Sequence, residues 1–158
     1  MKSAPKDLIR ARGYASRLLS YRERSVKEMA DRLARKGFSD GVRAKVVSDL
    51  ERQGLVNDHR FAVNFANSRL SHKPSGLPLI ISELSSKGIG REVIDSVIEE
   101  IAKDYDEYET ACRIAAVRVD KNRSIDTLKA KRRLYDHLLR RRFRKDIIHR
   151  VLARFFNE

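Results

Sequence analysis

The chain has 158 residues, 41% of them hydrophobic and 36% charged, which suits one compact domain or a short run of small repeats. No window approaches the roughly 18 uninterrupted apolar residues of a membrane span, and the single cysteine, Cys112, excludes an intrachain disulfide and fits a reducing cytoplasm. Its 35 Lys and Arg against 22 Asp and Glu, a formal net charge of +13, favour polyanions or acidic protein surfaces as partners and say nothing about fold.

Helical periodicity runs through almost the whole sequence, and alternation of period two persists nowhere, which predicts an all-α protein. A first helix is expected over 7–21, with Ile9, Tyr14, Leu18 and Leu19 apolar. Ser25 and Glu28 then have capping-box spacing, in which hydroxyl and carboxylate satisfy backbone N–H groups at a helix start. Val26, Met29, Ala30 and Leu33 share the face of that second helix, and Gly37 suits the left-handed residue that ends it. Ser39 is placed to cap a third helix with Val42, Val46, Val47 and Leu50 on one face, and Gly54 ends it.

The same layout returns twice. After Asn57 a helix carries Phe61, Phe65, Ala66 and Leu70, and Pro74-Ser75-Gly76 is a loop. Shifted by 51, the phrase LARKGF (33–38) becomes LSSKGI (84–89): Ile80 and Leu84 lie on the face, Gly88 is the stop, Ile89 answers Phe38, and Val93, Val97, Ile98 and Ile101 follow. The third copy starts with a helix over 107–120 bearing Ala111, Ile114, Ala115 and Val119, then a loop at Asn122-Arg123-Ser124 and a longer second helix with Leu134 and Leu138. Shifted by a further 54, the phrase reads LLRRRF (138–143), with Arg142 in the glycine slot and Ile147, Val151, Leu152 and Phe155 beyond. Matching apolar positions across two helices and a turn are a repeat signal. The fold class expected is all-α, three tandem three-helix, helix-turn-helix-like repeats in an elongated, curved array, with boundaries at 1–56, 57–106 and 107–158.

Charge is uneven among these repeats. Residues 1–56 hold 14 basic and 7 acidic side chains, a net of +7; 57–106 hold 6 and 8, a net of −2; 107–158 hold 15 and 7, a net of +8. Lys129, Lys131, Arg132 and Arg133 precede Arg140, Arg141, Arg142, Arg144 and Lys145, and helical spacing lets 129, 132, 133 and 140 share a face. Arg10, Arg17, Arg22, Arg24, Arg35 and Lys36 form a more dispersed group at the other end. Arginine suits phosphate and carboxylate alike, so either target fits. Stacking platforms of the single-strand-binding type are not evident, and Tyr135 reads as partial core.

Other chemistries lack support. No two of His59, His72, His137 and His149 stand at i,i+3 or i,i+4, so a metal site has no spacing behind it, and His72 and His149 read as surface residues. The seven glycines are isolated and form no phosphate loop. Cys112 among Ala111, Ile114 and Ala115 reads as a buried thiol. The acidic run from Glu99 to Glu109 reads as a solvated helix junction. The expectation is a binding protein with no cofactor, no metal and no catalytic residues.

The stretches RLLSYRERSVKEMADRLARKGF (17–38), GLVNDHRFAVNFANSRL (54–70) and SELSSKGI (82–89), in this order and spacing, resemble the bacterial RecX regulatory proteins. That resemblance implies tandem three-helix repeats and a monomeric cytoplasmic regulator in homologous recombination, DNA repair and the SOS response. It would bind the RecA recombinase and its filament on single-stranded DNA and inhibit ATP hydrolysis and strand exchange; duplex binding would be weak and salt-sensitive. The candidate contacts to RecA or DNA are then Arg22, Arg24, Arg35, Lys36, Lys129, Arg132, Arg133, Arg140, Arg141, Arg142, Arg144 and Lys145. The chain departs from the family pattern at Arg142 and in GLPLIISEL (76–84), which lacks the basic residues usual there and offers an apolar edge instead. The alternative reading is a helix-turn-helix DNA-binding protein acting in transcription.

Overall fold

The structure, a computed structural model, describes residues 4–121 and 126–156. Among the described residues there are nine helices and no strand: α1 (Ala4–Tyr21), α2 (Val26–Arg35), α3 (Asp40–Arg52), α4 (Asp58–His72), α5 (Leu77–Ser86), α6 (Arg91–Ala102), α7 (Glu107–Lys121), α8 (Thr127–Arg140) and α9 (Lys145–Phe156). They form three three-helix repeats. Helix α8 has 14 residues against 10 in α2 and in α5, the greater length expected of the third copy. The expected loop at Asn122-Arg123-Ser124 lies outside the described residues.

The LARKGF phrase is a Schellman turn in every copy. Phe38 N–H donates to the Leu33 carbonyl at 3.2 Å and Gly37 N–H to Ala34 at 2.9 Å; Ile89 and Gly88 bond Leu84 and Ser85, and Phe143 and Arg142 bond Leu138 and Leu139, at the same pairs of distances. The residue after the stop seals the helix end by packing an apolar side chain, which fixes the phrase's spacing. Gly37 and Gly88 sit at φ +90° and +77°, and Arg142 keeps the left-handed conformation at φ +59° although it has a Cβ. It is the one non-glycine residue at positive φ among the described residues. Arg142→Gly is therefore expected to stabilise the protein by about 1 kcal/mol, seen as a rise in the thermal midpoint; a fall would show that the arginine side chain holds the turn.

The helices divide between two compact units, and the division runs through the middle repeat: one unit comprises 1–65 and 84–95, the other 66–83 and 96–158. In the first unit α1, α2 and α3 enclose Ala11, Ala15, Met29, Leu33, Val46 and Leu50, with Leu8, Leu18 and Leu19 packed at the margin. Ile9, expected on the buried face, is instead 71% exposed, because Leu8, Ala11 and Ala15 set the helix's inward rotation. In the second unit α7, α8 and α9 enclose Ala111, Ala115, Leu134, Leu138, Ile148 and Val151. Cys112 is buried there, as its apolar neighbours suggest.

Each unit also contains a repeat-to-repeat joint, and the two joints use the same device. In the first unit, Val26 N–H at the start of α2 donates to Asp58 Oδ1 at 2.8 Å, and Ser25 Oγ donates to the Lys87 carbonyl at 2.9 Å. In the second, Leu77 N–H at the start of α5 donates to Glu107 Oε1 at 3.0 Å, and Gly76 N–H donates to the Arg141 carbonyl at 2.9 Å. Asp58 and Glu107 are the first residues of their helices, and Ser25 and Gly76 are 51 apart, one repeat. The start of one repeat's second helix is thus capped by the next repeat, and its loop is bonded to the next repeat's Schellman turn. Free N–H groups at a helix start need acceptors, so these joints satisfy backbone groups that an isolated three-helix unit would leave to water.

Capping therefore differs from the local pattern. Ser25 Oγ accepts from Glu28 N–H at 3.1 Å, half of a capping box, but the Glu28 carboxylate turns to Arg22 and Arg24 instead of back to Ser25. Ser39 stands at the N-cap of α3 without a side-chain capping bond. Asn57 Oδ1 accepts from Arg60 N–H at 2.8 Å and Asp106 Oδ1 from Glu109 N–H at 3.0 Å, so the junction acids include working caps. In α5, Leu77 and Ile80 are buried and Ile81 is 39% exposed, the apolar edge expected of GLPLIISEL.

Candidate functional site

The second unit carries the denser basic surface. Helix α8 is unbroken from Thr127 to Arg140. At about 100° per residue, Lys129, Arg132, Arg133 and Arg140 fall within an arc of roughly 100°. Ala130, Leu134, His137 and Leu138 take the opposite, buried side. The four cations are exposed and form no ion pair among the described residues. In the Schellman turn and just beyond it, Arg142 and Lys145 are also exposed and unpaired among the described residues, while Arg144 lies 3.9 Å from both Glu107 and Asp146. Unpaired arginines keep their full hydrogen-bonding forks for an external phosphate or carboxylate.

Arg141 differs from its neighbours. It is half-buried, and its Nη1 donates to the Pro74 carbonyl at 2.7 Å, so it holds the joint between α8 and the Pro74–Gly76 loop. Burial, then the fields of Arg118 and Arg69, lower its pKa. Arg69 and Arg118 carry no signal in the sequence because they lie on α4 and α7, 49 residues apart. Arg69 itself holds Glu83 with two bonds of 3.0 Å.

His137 sits beneath this surface, 9% exposed, with its pKa lowered to about 4 by burial and then by Arg118, Arg141 and Arg140. It is neutral at pH 7. Because the folded pKa lies below the unfolded value of about 6.5, unfolding takes up a proton as pH falls. This contribution is fully present above the unfolded pKa and is lost towards pH 4; between pH 7 and 5 the loss is about 2 kcal/mol. His137→Gln is expected to flatten that part of the stability curve, measured by urea unfolding at pH 7 and pH 5; an unchanged difference between the two would show that His137 is not its source.

The first unit scatters its cations. Arg24 is only 7% exposed, with its guanidinium bound to Glu28 and the Leu18 carbonyl, so it is corrected from a contact candidate to a structural residue. Burial would raise the Glu28 carboxyl, but hydrogen bonds and charge from Arg22 and Arg24 outweigh that and hold it below the usual range. Arg22 is exposed but forked onto Glu28. Arg35 is exposed and unpaired among the described residues. Lys36 lies with Nζ 5.6 Å from the centre of the Tyr14 ring, and Arg10 lies 6.0 Å from that of Phe38. Tyr14 and Phe38 are tilted neighbours, 6.5 Å apart, and with Arg10, Gly13, Arg17 and Lys36 they line a shallow hollow. Aromatic rings among cations were not expected here: Tyr14 and Phe38 read as helix-face and turn-sealing residues, and only folding brings them together.

Among the described residues no group of His, Cys, Asp and Glu is arranged to hold a metal ion, and no helix is long and apolar enough to cross a membrane. His72 and His149 lie on the surface, His149 5.9 Å from the partly buried Tyr135 ring.

Three family models match in succession: the RecX first three-helix domain over residues 11–50, the second over 57–98 and the third over 104–152. The regulatory protein RecX of Chlorobium phaeobacteroides is 36% identical over 142 residues, covering 90% of this chain and 91% of that protein. The regulatory protein RecX of Clostridioides difficile is 30% identical over 149 residues, covering 94% of this chain and 69% of that protein. The crystal structure of RecX from Lactobacillus salivarius superposes with a TM-score of 0.86 at 20% identity, covering 98% of this chain and 99% of that one, a likeness of fold.

Proposed function

Because the chain belongs to the RecX family of regulatory proteins, we propose that it is a RecA modulator: it binds the RecA filament on single-stranded DNA, inhibits ATP hydrolysis and strand exchange, and so tunes recombination and repair in the cytoplasm. The observation that carries this reading is the exposed α8 face of Lys129, Arg132, Arg133 and Arg140, cations with no ion pair among the described residues. A nucleoprotein filament offers both phosphates and acidic protein surface to such a face. It acts by occupancy, as a monomer without a cofactor: bound cations restrain the filament geometry that ATP turnover and entry of the second strand require. Binding to naked DNA is electrostatic, without sequence preference, and declines steeply with salt.

The transcription-factor reading would require base-reading residues on a third helix. In α3, Arg43 is bound to Asp40 and Lys45 lies 3.2 Å from Asp49; in α6, Arg91 lies 3.8 Å from Asp95. These side chains are engaged within their own helices, which favours the filament. Filter binding to the RecA filament, to naked single strands and to random and selected duplexes tests the choice: tightest binding to the filament supports it, and a preference for one duplex sequence overturns it.

A further inference from the structure

The joint between repeats has two faces, and the first repeat leaves one of them open. In the joint of the first unit, the loop before α2 is the inserted face. Ser25 Oγ bonds the Lys87 carbonyl, the Lys27 side chain fills the space beside Gly88, and Glu23 is held by Arg60 Nε at 2.6 Å and Asn64 Nδ2 at 2.8 Å. The receiving face is the Lys87–Ile89 turn together with α4, where Lys87 lies 4.8 Å from the centre of the Phe65 ring. Subtracting 51 gives Lys36, Gly37, Phe38 and Tyr14, and the structure repeats the arrangement, with Lys36 over Tyr14. Here no described residue fills it. A Cβ on Gly37 would meet no atom within 4 Å, whereas one on Gly88 would strike Lys27 at 2.1 Å. Among the described residues no hydrogen bond reaches the Lys36 carbonyl. The position of Asn64 is taken by Gly13, which also has open space beside it.

We propose that this unfilled receiving face, the hollow around Tyr14, Phe38 and Lys36, is where the protein docks an acidic protein segment that opens a helix. The internal joint defines the chemistry of the occupant. It presents a hydrogen-bond donor just before the helix, as Ser25 does, to the Lys36 carbonyl. It carries a carboxylate shortly upstream, as Glu23 does, to meet Arg17 and, beside it, Arg10, which also lies 3.3 Å from Asp7; both arginines are exposed at the rim. The charge excludes a basic occupant, and the likeness to the internal joint, where a protein loop sits on the same arrangement, favours a protein loop over a continuous phosphate backbone. The proposal rests on the recombinase reading above and assigns this face to filament protein, as distinct from the α8 face assigned to polyanion.

The test is a neutral plug. Gly13→Leu fills the hollow from an exposed helical position with open space, adds neither charge nor the amide with which Asn64 holds Glu23 in the internal joint, and removes a glycine from a helix, so it leaves the fold intact. Wild type and variant are titrated against the RecA filament on single-stranded DNA and against the same strand alone, with monomer mass followed by sedimentation. The expected result is a loss of filament affinity of at least tenfold with naked-strand affinity changed less than twofold, and Arg17→Glu reproducing the filament loss. Unchanged filament affinity in Gly13→Leu overturns the proposal while leaving the recombinase reading in place. An equal loss on the naked strand overturns it in favour of a nucleic-acid site, and a wild-type dimer that the plug dissolves overturns it in favour of a second copy. A wild-type protein that does not bind the filament at all overturns the recombinase reading and this proposal with it.

Discussion

Gly76→Ala is expected to lower stability by about 2–3 kcal/mol, the upper part of the overpacking range, although it adds a single methyl group. A Cβ at this buried position would lie 2.1 Å from the Arg142 carbonyl oxygen, 2.5 Å from its carbon and 2.7 Å from Phe143 Cα. All three are backbone atoms of a Schellman turn, so no side-chain rotation relieves the clash. The loop would have to withdraw, breaking the 2.9 Å bond from Gly76 N–H to the Arg141 carbonyl and the 2.7 Å bond from Arg141 to Pro74. For a chain of this size the thermal midpoint should fall by roughly 5–10 °C. Gly37→Ala is the matched comparison. There the added methyl meets no atom within 4 Å, and the cost of about 1–2 kcal/mol comes from a Cβ at φ +90°. If the two variants melt alike, the close approach at Gly76 is not what holds this joint.

The largest binding effect is expected from reversing the unpaired face of α8. Arg132→Glu, Arg133→Glu and Arg140→Glu together remove three cations that hold no carboxylate of their own among the described residues, so folding should be unaffected and the thermal midpoint serves as the control. Each cation in contact with single-strand phosphate contributes about 0.7 to the slope of log affinity against log salt, so the triple variant should flatten that slope by about 2. At low salt its affinity for the single strand should fall at least about a hundredfold. Arg35→Glu, on the scattered basic surface of the first unit, should change the slope by less than one contact. Arg24→Glu is unsuitable for such a comparison: it would break a buried pair with Glu28 and report folding rather than binding. Equal losses from the triple variant and from Arg35→Glu would place the polyanion contact elsewhere.

The local parts of this account were legible in the sequence. Schellman stops announce themselves through glycine, basic neighbours and an apolar seal at fixed spacing, whereas an arginine in the glycine slot at 142 leaves the shape of the third turn open until its φ of +59° is seen. The α8 cations were legible because one helix sets their spacing. What escaped was every feature created when distant segments meet. Arg22 and Arg24 look alike in RERS, yet one is exposed and the other buried, because only Arg24 points back to the Leu18 carbonyl. Asp58 and Glu107 read as ordinary first-turn acids, and nothing local shows that they cap the preceding repeat. Gly76 looks like loop flexibility and is a close approach of two backbones. Tyr14 and Phe38 are 24 residues apart and become a ring pair only when α1 packs on the turn after α2.

The compact units follow from the same joints. Residues 57–65 and 84–95 supply Asp58 and the Lys87 turn to the loop before α2, while 66–83 supply the Pro74–Leu77 loop to Arg141 and Glu107. The middle repeat thus gives one part of itself to each joint. This accounts for a cut through its helices where the sequence places a domain. Asp49 shows how the first unit uses its remaining charge. Buried on α3, it gathers Arg12 at 2.6 Å, Lys45 at 3.2 Å and Arg52, and the bonds from Arg12 and Lys45 hold its carboxyl below the usual range. Those three cations support the fold, which leaves the α8 face as the larger cluster of unpaired positive charge among the described residues.

The most direct measurement of the central claim is the single-strand-dependent ATPase of RecA, titrated with the purified protein beside the α8 triple variant. The account predicts that the wild type suppresses hydrolysis at or below one molecule per RecA protomer and that the triple variant requires at least tenfold more. Hydrolysis unchanged by the wild type at stoichiometric levels would contradict it.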